Sequence, residues 1–207
     1  VQVYSDNATA GDAIFCYNQS GSTRIDVGFI TVDGVVGTPG SGYTGIAQIL
    51  STIATDTIAI CGDQINTAPT EENRIYIGYA STTASAGLKM KRLKSTLEVE
   101  HTHTVEGTAT KIDGCSMIVT QAGDLQIIYT LNATNTYDHQ VKGALYNITD
   151  NSMGSAAIIK RSVGLASKIW EYDSIKYFVC VHDSSLQPTY FLCDTDGLLS
   201  AKILPGT

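Results

Sequence analysis

The chain has 207 residues, 43% of them apolar and only 16% charged, with 13 Lys+Arg against 20 Asp+Glu and a formal net charge of −7. That length allows one substantial core, and so few cations supply no row of positive charge to neutralise phosphates, so a nucleic-acid partner is not expected. No stretch approaches about 18 uninterrupted apolar residues, so no membrane-inserted helix is expected.

Taken in chain order, the segments read as strands. "VQVYS" (1–5) alternates in the manner of a strand, and "AIFCY" (13–17) and "RIDVGFI" (24–30) flank the turn "NQSGST". "GTPGSGYTG" (37–45) lacks the Lys of a phosphate-binding loop and reads as a flexible connection. "TGIAQILSTIA" (44–54) is the best helical candidate, yet Ile and Thr dominate it and it reads equally as β. "TIAICG" (57–62) and "RIYIGYA" (74–80) follow, then "CSMIVT" (115–120) with "LQIIYTL" (125–131), and "IKYFVCV" (175–181) with "TYFLCD" (189–194). These are four similar hairpins.

Repetition is most direct between "RIDVGFI" and "RIYIGYA", where Arg24, Ile25, Val27, Gly28 and Phe29 match Arg74, Ile75, Ile77, Gly78 and Tyr79 without a gap. Asp12, Asp56, Asp113 and Asp173 precede the four hairpins. Segments rich in small residues, "GIAQILST", "VEGTATKI" and "VGLASKIW", come before the second, third and fourth hairpins. The more charged "LKMKRLK", "VKGALYNI" and "LLSAKIL" come after them. Each unit is expected to run small, apolar, apolar, charged from the axis outward. That order resembles a β-propeller with blades of roughly 50 residues. The expected fold is all-β, about four four-stranded antiparallel blades in a single domain (1–207), with units near 1–38, 44–95, 96–150 and 151–207. A β-sandwich is the alternative. The resemblance is architectural: no WD dipeptide or kelch double glycine occurs, and "NQSGSTRI" has Gln19 where a sialidase Asp-box has Asp. In a closed ring, "VQVYS" would complete the last blade.

Cys16, Cys61, Cys115, Cys180 and Cys193 form no CxxC pair, so neither a disulfide framework nor a zinc ribbon is expected. Most are expected to be buried thiols. The one local cluster with metal-ligand character is "EHTHTVE" (100–106): on a strand His101 and His103 share a face, Glu100 and Thr102 point the other way, and His139 or Asp138 are possible further ligands. His-x-His also resembles the iron motif of trimeric phage spikes. No cofactor is expected. Asp26, Asp56, Asp113 and Asp173 are the acids a propeller glycosidase would use, although the recurrence of three of them, Asp56, Asp113 and Asp173, at one place in the repeat fits turn capping. Tyr43, Tyr137, Tyr172 and Tyr190 sit beside turns and are candidates to stack on sugars. Asn7, Asn18, Asn132 and Asn147 are N-x-[ST] sequons.

Abundant Ser, Thr, Asn and Gly make a neutral-polar surface common among extracellular and virion β-proteins. The expected function is a non-enzymatic structural and binding propeller, such as a phage tail or tail-hub component, whose partners are other subunits and also glycans. The alternatives are a surface glycan-binding or glycan-cleaving propeller and a glycosylated extracellular protein-interaction module.

Overall fold

Short runs of β-branched and aromatic residues, closed by Gly, Asn or Asp, pair as antiparallel strands throughout the computed structural model. It describes residues 2–5, 13–18, 22–30, 36–37, 47–55, 57–62, 74–81, 86–94, 97–107, 111–120, 123–132, 139–173, 176–183, 188–194 and 197–202, and after Ile159 the backbone alone.

The first sheet contains β1 (Gln2–Ser5), β2 (Ala13–Asn18), β3 (Ser22–Ile30) and the short β4 (Val36–Gly37), with β5 (Ala47–Thr55) also paired to β3. The second holds β6 (Thr57–Gly62), β7 (Arg74–Ala80), β8 (Leu88–Lys94) and β9 (Val99–Thr104) in chain order. The third begins with β10 (Lys111–Val119), β11 (Asp124–Asn132) and β12 (His139–Asn147), beside which lies the short β13 (Ser152–Met153). It continues through β14 (Ala157–Asp173), β15 (Lys176–Asp183), β16 (Pro188–Asp194) and β17 (Gly197–Lys202).

The long β14 serves two blades. Its first part pairs with β12 from Gly143↔Ala157 to His139↔Val163, and its second part pairs with β15 from Val163↔Asp183 to Asp173↔Lys176. Register shifts interrupt both pairings and let the strand turn from one blade into the next. β6 lies against β1 and β2 on one side and β10 on the other, and β10 lies against β14. The fold is all-β, a propeller-like array of antiparallel sheets.

Period-two alternation divides the second sheet between two neighbours. Ile58, Ile60, Ile75, Ile77 and Tyr79 pack with Ile14, Cys16, Ile25, Val27 and Ile49 of the first sheet. Ala59, Cys61, Tyr76 and Ala80 pack with Ile112, Met117, Ile127, Tyr129 and Tyr146 of the third. β6 and β7 are therefore buried on both faces, which is why their sequences are almost wholly apolar.

Strand order within the units departs from the expected one. "AQILSTIAT" is β5 and is hydrogen-bonded to β3 instead of opening the second unit. Val105–Gly107 is not a strand, so the third sheet starts at β10. Only "VGLASKIW", inside β14, is a strand hydrogen-bonded to the hairpin that follows it. The apolar β6 and β10 take the places expected for small residues, because they have a neighbour on each side. The charged β8 is not outermost, since β9 pairs beyond it. β1 pairs with β2, completing the first sheet and not the last.

The two matched hairpins share an internal register, with Phe15 opposite Gly28 and Ala59 opposite Gly78. They differ in rank: β1 stands before the first hairpin, so β3 is third in its sheet while β7 is second. Adding a strand ahead of a hairpin reverses its direction at a given distance from the axis and swaps its faces. That explains why matched residues such as Ile25 and Ile75 meet across one interface.

Cys16, Cys61 and Cys115 carry thiols, the first two buried in opposite interfaces. The side chain of Cys180 lies outside the described residues. Gly78 faces the third sheet, where a Cβ would lie 3.2 Å from Met117 Sδ. Gly78→Val is expected to destabilise the protein by about 1–3 kcal/mol through overpacking. Gly107→Ala, with nothing within 4 Å of the added carbon, should leave the urea midpoint unchanged.

Candidate functional site

His101 and His103 share a face of β9, their ring centroids 6.0 Å apart. Opposite them on β8 stand Arg92 and Met90, and this face meets the third sheet. His103 Nε2 lies 3.0 Å from Asn151 Oδ1, and its ring is 5.0 Å from that of Tyr146. Asn151 takes a left-handed backbone (φ 53°) and accepts a 2.5 Å hydrogen bond from the Tyr146 hydroxyl. Arg92 Nη1 donates to Tyr146 Oη and to the Ile148 carbonyl, both at 3.1 Å.

Glu100 does not point away from the histidines as strict alternation requires. Arg92 pairs with His101 and Leu93 with Val99, so Glu100 is the extra residue of a bulge. Its Oε2 lies 2.5 Å from Arg74 Nε and 3.2 Å from Arg92 Nε. Asp113 is the corresponding extra residue of β10, between Ile112 and Gly114, and its Oδ2 lies 2.8 Å from His139 Nδ1. His139 is thus engaged with Asp113, Asp138 lies outside the described residues, and no group of three metal-capable side chains occurs among the described residues.

A second polar tie crosses the same interface. Val105 N and Glu106 N both donate to Leu88 O, at 2.9 and 3.2 Å. Gly87 (φ +71°) permits the approach, since a Cβ there would strike the carbonyl oxygens of Glu106 and Gly107. Glu106, so placed, accepts from the Tyr129 hydroxyl at 2.7 Å and from Lys142 Nζ. Burial pushes the Glu106 carboxyl up, but the hydrogen bonds from Lys142, Tyr129 and Gly107 N outweigh it and hold the group below its ordinary range. Burial and the Glu106 charge push the Tyr129 hydroxyl up, and burial pushes the Cys115 thiol up to about 12.

On the first sheet, Ile25 and Val27 turn toward the second sheet, and Asp26 turns away from it. Asp26 is buried, and Arg24 Nε donates to its two oxygens at 2.7 and 3.0 Å. With the Gln48 amide oriented to satisfy both, its oxygen accepts from Arg24 Nη1 and Nη2 at 3.1 Å. Tyr17, Asn18, Ser22, Arg24 and Asp26 line a pocket of about 350 Å³. Asn18 Nδ2, the atom a glycan would take, donates to Thr55 O at 2.5 Å.

Asn147 Oδ1 accepts from Asp150 N. Asn132 ends β11 opposite Lys111. Tyr172 lies on β14, and Tyr190 on β16 opposite Cys180 and Lys202. Asp173 ends β14. Of Tyr172, Tyr190, Asn132 and Asp173 only the backbone is described, while Tyr43, Tyr137, Asn7 and Asp56 lie outside the described residues. Tyr17 and Ser22 beside Asn18 and Asp26 in the pocket, and the Glu106 tie, are additions to the residues singled out by sequence. Both depend on pairing across a hairpin or an interface.

No family model matches the chain, and no curated protein matches it in sequence. A solved structure, "Structure of Dos1 propeller", is similar at 8% identity with a TM-score of 0.54, over 98% of this chain and 61% of that one. The likeness is one of fold alone, and the chain spans about 61% of that protein's length. A eukaryotic initiation factor (6% identity, TM-score 0.47, 97% of this chain and 54% of that one) is more weakly similar. So is a GH43 endo-arabinanase from Bacillus licheniformis (11%, 0.44, 93% and 71%), and neither similarity carries an argument.

Burial, reinforced by repulsion from His101 and Arg92 and opposed by the Asn151 hydrogen bond, holds the His103 pKa below its ordinary 6.5. A folded neutral imidazole competes with an unfolded one that protonates more readily, so its stabilisation is full above pH 6.5 and lost as pH falls through the lower folded value. Urea titrations at pH 7.5 and 5.5 are expected to show a smaller acid-side loss for His103→Gln than for wild type. Tyr129→Phe removes a hydrogen bond to a charged acceptor and should cost about 1.5–3 kcal/mol in the same assay.

Proposed function

We propose that the chain is a non-enzymatic structural and binding propeller, a rigid platform within a larger protein assembly. The setting is a virion or an extracellular surface, with a phage tail or tail hub as the concrete case. The supporting observation is the use made of charge between the second and third sheets. Arg92 reaches Tyr146 and Ile148, His103 reaches Asn151, and Glu106 reaches Tyr129 and Lys142. Side chains that could do chemistry hold two sheets in register instead. Asp26 and Asp113, two of the acids a glycan-cleaving propeller would use, are bound to Arg24 and His139, and this favours the structural reading over hydrolysis. The virion or extracellular setting is supported by the neutral-polar composition.

Light scattering of the native protein is expected to give a mass above the 22.0 kDa of one chain, or co-purifying subunits. A concentration-independent monomer without partners would remove the platform role. A reducing-sugar assay over a panel of polysaccharides should read blank, and turnover that Asp26→Asn abolishes would replace this reading with glycan cleavage.

A further inference from the structure

We propose that the cross-strand pairs Lys89 with Thr104 and Lys91 with Thr102, side by side on one face of β8 and β9, form a binding site for a tetrahedral oxyanion, a phosphate or sulfate group. The inference goes beyond the platform role and does not depend on it.

Alternation along β8 fixes the face. Met90 packs toward the third sheet, so Lys89 and Lys91 turn the other way, as does Leu93, which packs toward the first. Register sets Lys89 directly opposite Thr104 and Lys91 opposite Thr102. Lys89 Nζ donates to Thr104 Oγ1 at 2.7 Å, and Lys91 Nζ donates to Thr102 Oγ1 at 3.3 Å. Both threonines are exposed, so the two ammonium groups end at the solvent margin of the sheet.

The charge gathered there is uncompensated. Elsewhere Arg24 has Asp26, Arg74 and Arg92 share Glu100, Lys94 has Glu98, and Lys142 has Glu106. Among the described residues neither Lys89 nor Lys91 forms an ion pair. Lys91 is nevertheless only 8% exposed, a degree of cover that lysine rarely takes unpaired. Its head group has one long hydrogen bond and the Tyr79 ring centroid 5.9 Å away, at the outer limit of a cation–π contact. Burial pulls its pKa below the ordinary 10.5. Covering Tyr79 would need only the methylene stem of the side chain. A ligand that brings negative charge supplies what the fold leaves out.

The remaining donors define that ligand. Each ammonium keeps two N–H groups after its bond to threonine, and each threonine, accepting from lysine, keeps its O–H to donate. Residues two apart on a strand stand about 7 Å apart, a span that a tetrahedral anion can bridge through charge-assisted hydrogen bonds of about 2.7–2.9 Å. A planar carboxylate has two oxygens and would satisfy fewer of these donors. Two cations serve one such group, not the row of phosphates that a nucleic acid presents.

The test titrates the full chain with inorganic phosphate, inorganic sulfate and glucose 6-phosphate, read by backbone-amide NMR shifts. Saturable shifts centred on Thr102 and Thr104 are expected, and added sodium chloride should weaken the binding. Lys91→Met, which keeps the apolar cover over Tyr79, should weaken it at least tenfold and Lys89→Gln three- to tenfold. Lys111→Gln, at an exposed lysine of β10, should leave it unchanged. Lys89 is less covered than Lys91, so its variant decides the matter if Lys91→Met does not fold. Tighter binding of glucose 6-phosphate than of inorganic phosphate would identify a sugar ester as the source of the group, and equal or weaker binding the free anion; both support the site. No saturable shift at Thr102 and Thr104, binding unchanged in the Lys89 and Lys91 variants, or an equal loss in Lys111→Gln would each overturn the proposal. None of these results alters the light-scattering outcome, and with it the platform role.

Discussion

The second sheet is packed on both sides, and that double burial governs the rest of the array. A strand between two neighbours has no face left for water, so β6 and β7 carry apolar residues continuously where a half-exposed strand would alternate. The two faces are not equivalent. Toward the first sheet stand Ile58, Ile60, Ile75, Ile77 and Tyr79; toward the third stand smaller groups, Ala59, Cys61, Gly78 and Ala80, with Tyr76. Bulk missing from that second face is supplied from across the gap by Met117, Tyr129 and Tyr146. Gly78 is where the exchange is tightest, because Met117 Sδ occupies the space next to its α-carbon.

Beside this core, charged side chains on β9 and β10 help to set register. Glu100 and Asp113 are each the single extra residue of a bulge, and each meets a basic partner. A bulge removes one residue from alternation and lets it point where its neighbours point. Such partly buried pairs add little net stability, since desolvation offsets their attraction, but separating one would strand a buried charge at about 3–5 kcal/mol. A one-residue slip of β9 on β8 or of β10 on β11 would do so. These pairings therefore act mainly against wrong registers.

Local pattern made the hairpins legible. Apolar runs around Gly-rich turns gave the strands, and the constant offset from Arg24 to Arg74 gave their internal register, because both depend on residues near one another in the chain. Period two also put His101 and His103 on one face. Strand rank was not legible, since whether β5 pairs with β3 or opens the next sheet is decided by long-range hydrogen bonds that either sequence could make. Glu100 was misplaced for a related reason: a bulge changes parity without a residue type that announces it. The pairing of Asp113 with His139, and that of Glu106 with Lys142, joins residues far apart in sequence. The signal for the Tyr17 pocket was present in the register of the first hairpin, where Tyr17 faces Asp26 directly across the turn.

Shifted rank also explains how near-repeats can do different work. Tyr17 and Asp26 of the first hairpin correspond in register to Cys61 and Tyr76 of the second. In the second sheet those positions are core, closed by the third. In the first sheet they belong to the face turned away from the second, and packing there does not require them to be apolar. Polar residues alone would suffice to make such a face soluble, as in the terminal units of stacked repeats. There Arg24 is held by the buried Asp26 carboxylate and the Gln48 amide. A repeated hairpin therefore keeps its internal register, while the rank it takes in its sheet decides whether a given position becomes core or polar.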